Sequence, residues 1–203
     1  MRRFAVAARW MRKVLSPSGP VLPLERRIQA GGPAAIPASR WVAQFDASPW
    51  GGGAILREGG AVKEYWCAAW SQDDMALLDV HIGEPSAQCF LEFLALFICL
   101  ELWGDAFVRT SLQVVGDNAG ALEAALQLKG AGPMLAIARE IAWRKARRRW
   151  QYRVGHIATE ANRVPDALSR LRDPVPATFP KALTGARRIP CPSPQGLWQL
   201  RES

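Results

Sequence analysis

The sequence lacks the features that mark several functional classes. It has four cysteines, Cys67, Cys89, Cys99 and Cys191, and none of them forms a Cys-x-x-Cys pair. Neither a zinc-finger spacing nor a dithiol redox motif is therefore present, and reduced thiols of an intracellular protein are the expectation. There are two histidines, and His81 lies in an acidic stretch with no motif around it, so it is expected to be exposed. No run is apolar enough to span a membrane, because the longest, Cys89 to Trp103, is interrupted by Glu92 and Glu101. No polymerase motif precedes the acids described below, which excludes templated synthesis by this chain alone.

The 203 residues are 49% hydrophobic, enough for one ordinary domain with tails. The formal charge of +8 is uneven: residues 1–40 hold eight Lys/Arg and one acid, residues 41–172 fourteen and fifteen, residues 173–203 four and two. A near-neutral domain between basic tails fits a polyanionic partner, and equally fits plain solvated tails. Met1 to Leu15 is Arg-rich and free of acids. A mitochondrial targeting peptide is the weaker reading of it and the remnant of an upstream domain the stronger, which leaves nucleus or cytoplasm as the expected compartment.

Residues 1–40 carry Ser-Pro-Ser-Gly-Pro and Gly-Gly-Pro and are expected to be largely irregular. From Trp41 the texture changes. Trp41 to Phe45 reads as a buried strand, Pro49-Trp50-Gly51-Gly52-Gly53 as a glycine-permitted reversal, Ala54 to Leu56 and Ala61 to Cys67 as the returning strands of a meander. Residues 70–87 read as an irregular loop. Gln88 to Trp103 reads as a helix apolar nearly all round, Leu112 to Val115 as a fourth strand, Ala119 to Lys129 and Pro133 to about Arg147 as helices, and Trp150 to Val154 as a fifth strand. After Arg172 six prolines between Pro174 and Pro194 predict a disordered tail over 173–203.

Acids stand at the ends of these elements. Asp46 closes the first strand and Asp117 the fourth, and sites in open α/β sheets lie beyond the carboxyl ends of strands. Taken singly, Asp46 before Ser-Pro suits an Asx turn, and Asp117 and Asp166 suit helix caps. Glu92 and Glu101, nine residues apart at roughly 100° each, lie on opposite faces of the long helix, so only one can look into a shared site.

The stretch His156-Ile157-x-x-x-x-Asn162-x-x-x-Asp166-Ala167-Leu168-Ser169-Arg170 resembles the end of the ribonuclease H domain in gypsy-like and related retrotransposon reverse transcriptases. Asp46-Ala47-Ser48-x-x-Gly-x-Gly-Ala54-Ile55-Leu56 resembles the opening of that domain, and Glu92-Phe93-Leu94-Ala95 its helix motif, which selects Glu92 and leaves Glu101 as a rim-facing acid. Gly116 departs from the family, which usually has Thr before this Asp.

The resemblance covers about residues 41–172 and implies a ribonuclease H-like α/β fold, a mixed five-stranded sheet flanked by helices on both sides. It further implies a hydrolase that cuts the RNA strand of RNA–DNA hybrids with two Mg²⁺ ions, Mn²⁺ being a possible substitute, and leaves a 5′-phosphate and a 3′-hydroxyl. Asp46 would bridge the ions, Glu92 and Asp117 complete the ion at the leaving group, and Asp166 hold the ion that activates water. His156 would assist proton transfer or product departure.

Ser48 and Asn118, which flank the acids, and Arg147 and Arg148, in the basic run 144–149, are the expected substrate contacts. The expected partners are the hybrid and a separate reverse transcriptase polymerase domain, with no membrane and a monomeric chain. The alternative, from a different class, is a decayed or domesticated relic that binds nucleic acid without cutting.

Overall fold

The computed structural model of the chain describes residue 12 and residues 39–107 and 110–200. Nearly all of the basic N-terminal extension lies outside the described residues. Strands β1 (Trp41–Ala47), β2 (Gly51–Glu58) and β3 (Ala61–Ala69) form the expected antiparallel meander. Gly59 and Gly60, at φ 55° and 93°, make the second of its turns, a conformation that other residues adopt at a cost. Strand β4 (Leu112–Gly116) runs parallel to β1, and β5 (Tyr152–His156) parallel to β4. The sheet is mixed, and β1 and β4 lie side by side within it.

Residues 70–87 are only in part the irregular loop that their acids suggest. Ser71 accepts a hydrogen bond from Asp74 N and starts α1 (Gln72–Leu78), which buries Met75 and Leu78. Helix α2 (Gln88–Trp103) has the expected bounds and buries almost every side chain against the sheet, with α3 (Ala119–Gln127) and α4 (Gly132–Arg148) packed over it. Helix α5 (Arg163–Ser169) lies on the opposite face, where Leu168 joins Ile55 in a second, smaller core. Helices therefore flank the sheet on both sides, and among the described residues none is long and apolar enough to cross a membrane.

The glycine run serves a different purpose from the one read in the sequence. Gly51, Gly52 and Gly53 lie within β2, and none has a positive φ. A Cβ on Gly53 would stand 2.4 Å from Leu168 Cβ, and one on Gly51 3.2 Å from the Ser169 carbonyl oxygen. The glycines let α5 sit directly on β2, and the reversal itself is a turn in which Ser48 N donates to Gly51 O at 2.8 Å.

The Pro-rich tail is not disordered over its described part, because prolines bar a ladder donor without barring packing. Leu183 enters the α5-side core, and β6 (Arg187–Arg188) pairs parallel with β3, which makes the sheet six-stranded, in the order β5-β4-β1-β2-β3-β6. The chain then crosses the sheet edge, and Leu197 and Trp198 bury themselves in the main core, where Trp198 Nε1 donates to Asp74 Oδ1 at 2.5 Å.

Arg144, fully buried, holds this end of the tail. Its Nη2 donates to the carbonyls of Gly196 and Leu197 at 2.7 and 2.8 Å, and its other nitrogens pair with Glu101 and Glu140, each at 2.6 Å. Removing one member of such a buried set leaves charges uncompensated. We therefore expect Arg144→Ala to lower stability by about 3–5 kcal/mol in urea unfolding; a loss under about 1 kcal/mol would mean that the tail is held some other way.

Candidate active site

Three acids arrive at one point from three elements. Asp46 stands near the end of β1, Asp117 follows the last residue of β4, and Glu92 projects from the first turns of α2. One carboxylate oxygen from each lies within 4.8 Å of the other two. Asp46 and Glu92 are 4% and 2% exposed. Glu101, on the other side of α2, pairs instead with Arg144 and with Arg148 at 3.0 Å.

Each buried acid has partners that fix its orientation. Ser169 Oγ donates to Asp46 Oδ2 at 2.5 Å, and Asn162 Nδ2 donates to Phe45 O at 2.9 Å and Asp46 Oδ1 at 3.3 Å. Gln88, one turn before Glu92, donates to Glu92 Oε1 at 3.0 Å and to Ala47 O at 2.6 Å. These three orienting residues were assigned no role in the sequence. Asn162 and Ser169 stood inside the quoted motif, and the spacing of four from Gln88 to Glu92 was the available signal for the third.

Gly116 closes β4. A Cβ there would come within 2.6 Å of the Phe45 ring. The ring fills the space that a larger residue would take beside Asp117.

Asp166 is outside the trio. Its Oδ1 accepts from Arg170 Nε at 2.6 Å, and its side chain is 37% exposed. His156 is exposed at the end of β5, not on the loop beyond it, and its Nε2 lies 3.1 Å from the backbone oxygen of Asp117. A carbonyl only accepts, so Nε2 carries the proton in this contact. His81 is exposed as well, with no assigned part.

The proposed substrate contacts are rearranged. Ser48 is almost fully buried; its hydroxyl donates to Asp173 Oδ1 at 2.7 Å and accepts from the backbone N of Trp50 and Gly51, so it cannot reach a substrate. Asn118 caps α3, with Oδ1 accepting from Ala121 N at 3.0 Å, which leaves Nδ2 as its available donor. Arg147 and Arg148 lie at the far end of the sheet. Arg148 pairs with Glu101 and Asp105 and stacks on Trp150, which precedes the start of β5, whereas His156 marks the end beside the acids. The length of the strand, about 15 Å, separates the two.

The site suits a hard divalent cation. Burial first, and then the charges of Asp166 and Asp117, raise Asp46 to about 7 against the pull of the Ser169 hydrogen bond. Burial first, and then Asp46 and Asp117, raise Glu92 to about 9. Glu92 Oε2 is buried without a hydrogen-bond partner. An all-oxygen donor set with an orphaned carboxylate oxygen is what Mg²⁺ or Mn²⁺ would satisfy.

No protein-family model matches the chain, and neither does any curated protein. Among solved structures it is similar to the ribonuclease H1 of the halophilic archaeon Halobacterium salinarum NRC-1, at 21% identity and TM-score 0.48, over 66% of this chain and 97% of that one. It is similar also to LC11-RNase H1, isolated from compost by a metagenomic approach, at 20% identity and TM-score 0.49, over 64% and 93%. A further structure of LC11-RNase H1, in complex with an RNA/DNA hybrid, aligns at 16% identity and TM-score 0.48, over 63% and 92%. With TM-scores below 0.5, the functional reading rests on this chain's own carboxylates.

The raised acids set a pH dependence. Between the ordinary Glu value of 4.5 and about 9, folded Glu92 keeps a proton that the unfolded chain has lost. Stability from this source is complete below the unfolded value and disappears as pH rises through the folded one. We expect the melting temperature in EDTA to fall from pH 5 to pH 9 more steeply in the wild type than in Glu92→Gln, and a divalent cation to restore it at high pH. Equal slopes in the two proteins would contradict this.

Proposed function

We propose that this chain hydrolyses the RNA strand of RNA–DNA hybrids in a metal-dependent reaction and derives from a retrotransposon polyprotein. The observation that carries this reading is the convergence of Asp46, Glu92 and Asp117 oxygens within 4.8 Å. The motif ending in Asp166 to Arg170 supports the retrotransposon origin. Asp46, Glu92 and Asp117 would hold the ion, and Mg²⁺ there would polarise the scissile phosphate and lower the pKa of bound water.

The protein's own part is orientation and proton handling. Ser169 and Asn162 fix the two Asp46 oxygens, and Gln88 fixes one oxygen of Glu92 and leaves the other without a hydrogen-bond partner. His156, anchored by the Asp117 carbonyl and open to solvent, would give or take a proton at the rim. Asp166 would complete a second ion's site once Arg170 releases it. The same reading makes the chain an intracellular monomer that works on hybrids made by a separate polymerase domain.

A second reading, a relic that binds without cutting, draws on one observation: the Asp166 carboxylate is ion-paired with Arg170. The test is cleavage of a labelled hybrid in Mg²⁺, beside single-stranded RNA and duplex DNA. We expect cutting of the hybrid alone, loss of it in Asp46→Asn, and a decrease of about 10- to 100-fold in Ser169→Ala, which leaves the acids in place but unoriented. A folded protein that binds the hybrid and cuts nothing would establish the relic.

A further inference from the structure

Helix α5 and the first part of the tail carry a local surplus of basic residues. Residues 41–162 hold eleven Lys/Arg against fourteen acids, whereas residues 163–188, which form α5 and the first part of the tail, hold six against two. Those two, Asp166 and Asp173, are both engaged by Arg170, and Asp173 also by Ser48. Arg187 is occupied by Glu64. Arg163, Arg172, Lys181 and Arg188 are exposed.

The tail also brings an aromatic ring here. Phe179, 47% exposed, packs edge-on against Tyr65 with centroids 5.8 Å apart. Arg188 is the ladder partner of Tyr65, and paired residues point to the same face of a sheet. Its Nη2 lies 3.5 Å from the Cys67 carbonyl. Cys67 is opposite Gly53, and Gly53 opposite Asp46. Two strand spacings, about 10 Å, thus separate the Arg188 contact from the carboxylates.

Exposed cations that track a backbone, with an open ring among them, are the arrangement that takes unpaired nucleic acid, because every base has a face to stack and every nucleotide a phosphate. A ring is of little use to a fully paired duplex, whose bases are already stacked. The geometry points to a binding surface for single-stranded nucleic acid, formed by Phe179, Tyr65, Lys181 and Arg188, that receives the unpaired extension of a hybrid held at the carboxylates. This rests on the hybrid-hydrolase reading and adds a substrate preference to it, for hybrids that adjoin a single strand.

The test is fluorescence anisotropy with the full chain carrying Asp46→Asn, on blunt hybrids and on hybrids with an unpaired 5′ or 3′ extension of about 10 nucleotides. In this background we expect an extension of one polarity to tighten binding about tenfold. Phe179→Ala and the double variant Lys181→Ala/Arg188→Ala should each abolish the gain, with blunt-hybrid affinity within about twofold and melting temperature unchanged. Arg147→Ala, at the far end of the sheet, should keep the gain. No gain from either extension, or a gain that survives both tail variants, overturns the inference alone if blunt hybrid is still bound. If the protein binds no hybrid at all, the inference and the hybrid-hydrolase reading fail together.

Discussion

Two carboxylates held out of water beside each other are the constraint on which the structure depends. Asp46 and Glu92 repel when both are ionised, and burial denies them the solvent that would screen the repulsion. The fold responds in two ways. It fixes three of their four oxygens with hydrogen bonds from Ser169, Asn162 and Gln88, and it leaves Glu92 Oε2 with none. An orphaned buried acceptor costs about 1–3 kcal/mol. A cation between the acids removes both the repulsion and the orphan.

The orienting bonds require two layers to approach unusually closely. Ser169 reaches Asp46 only because α5 lies on the glycine stretch of β2, where a Cβ on Gly53 would collide with Leu168. On the other strand the ring of Phe45 occupies the space over Gly116. Backbone without side chains is thus used where helix and strand ends must meet around the acids. The tail strengthens the same arrangement, since Asp173 grips the Ser48 hydroxyl at the turn that follows β1.

Much of this was legible in the sequence, and for physical reasons. Helix α2 is legible because a run apolar nearly all round has no other stable form in a small domain. Asp46 and Asp117 were legible as acids at the ends of apolar strands. Helix α1 was hidden, because it is short and only Met75 and Leu78 among its described side chains clearly bury an apolar surface. The tail was misread because proline counts against regular structure and says nothing about whether Trp198 finds a core. Arg147 and Arg148 were misplaced because the density of charge along a chain does not tell which end of a sheet a helix terminus reaches. Ser48 could not be judged, since its partner Asp173 is 125 residues away.

We infer that Asp46, Glu92 and Asp117 form one divalent-cation site. Titration calorimetry of Mn²⁺ into the nucleic-acid-free protein at pH 7.5, in buffers of different ionisation enthalpy, tests it most directly. Glu92, raised to about 9, is protonated at that pH and must lose its proton to become a ligand. We expect binding with release of about one proton per ion, and loss of both binding and release in Glu92→Gln. Binding that releases no proton and survives that substitution would contradict it.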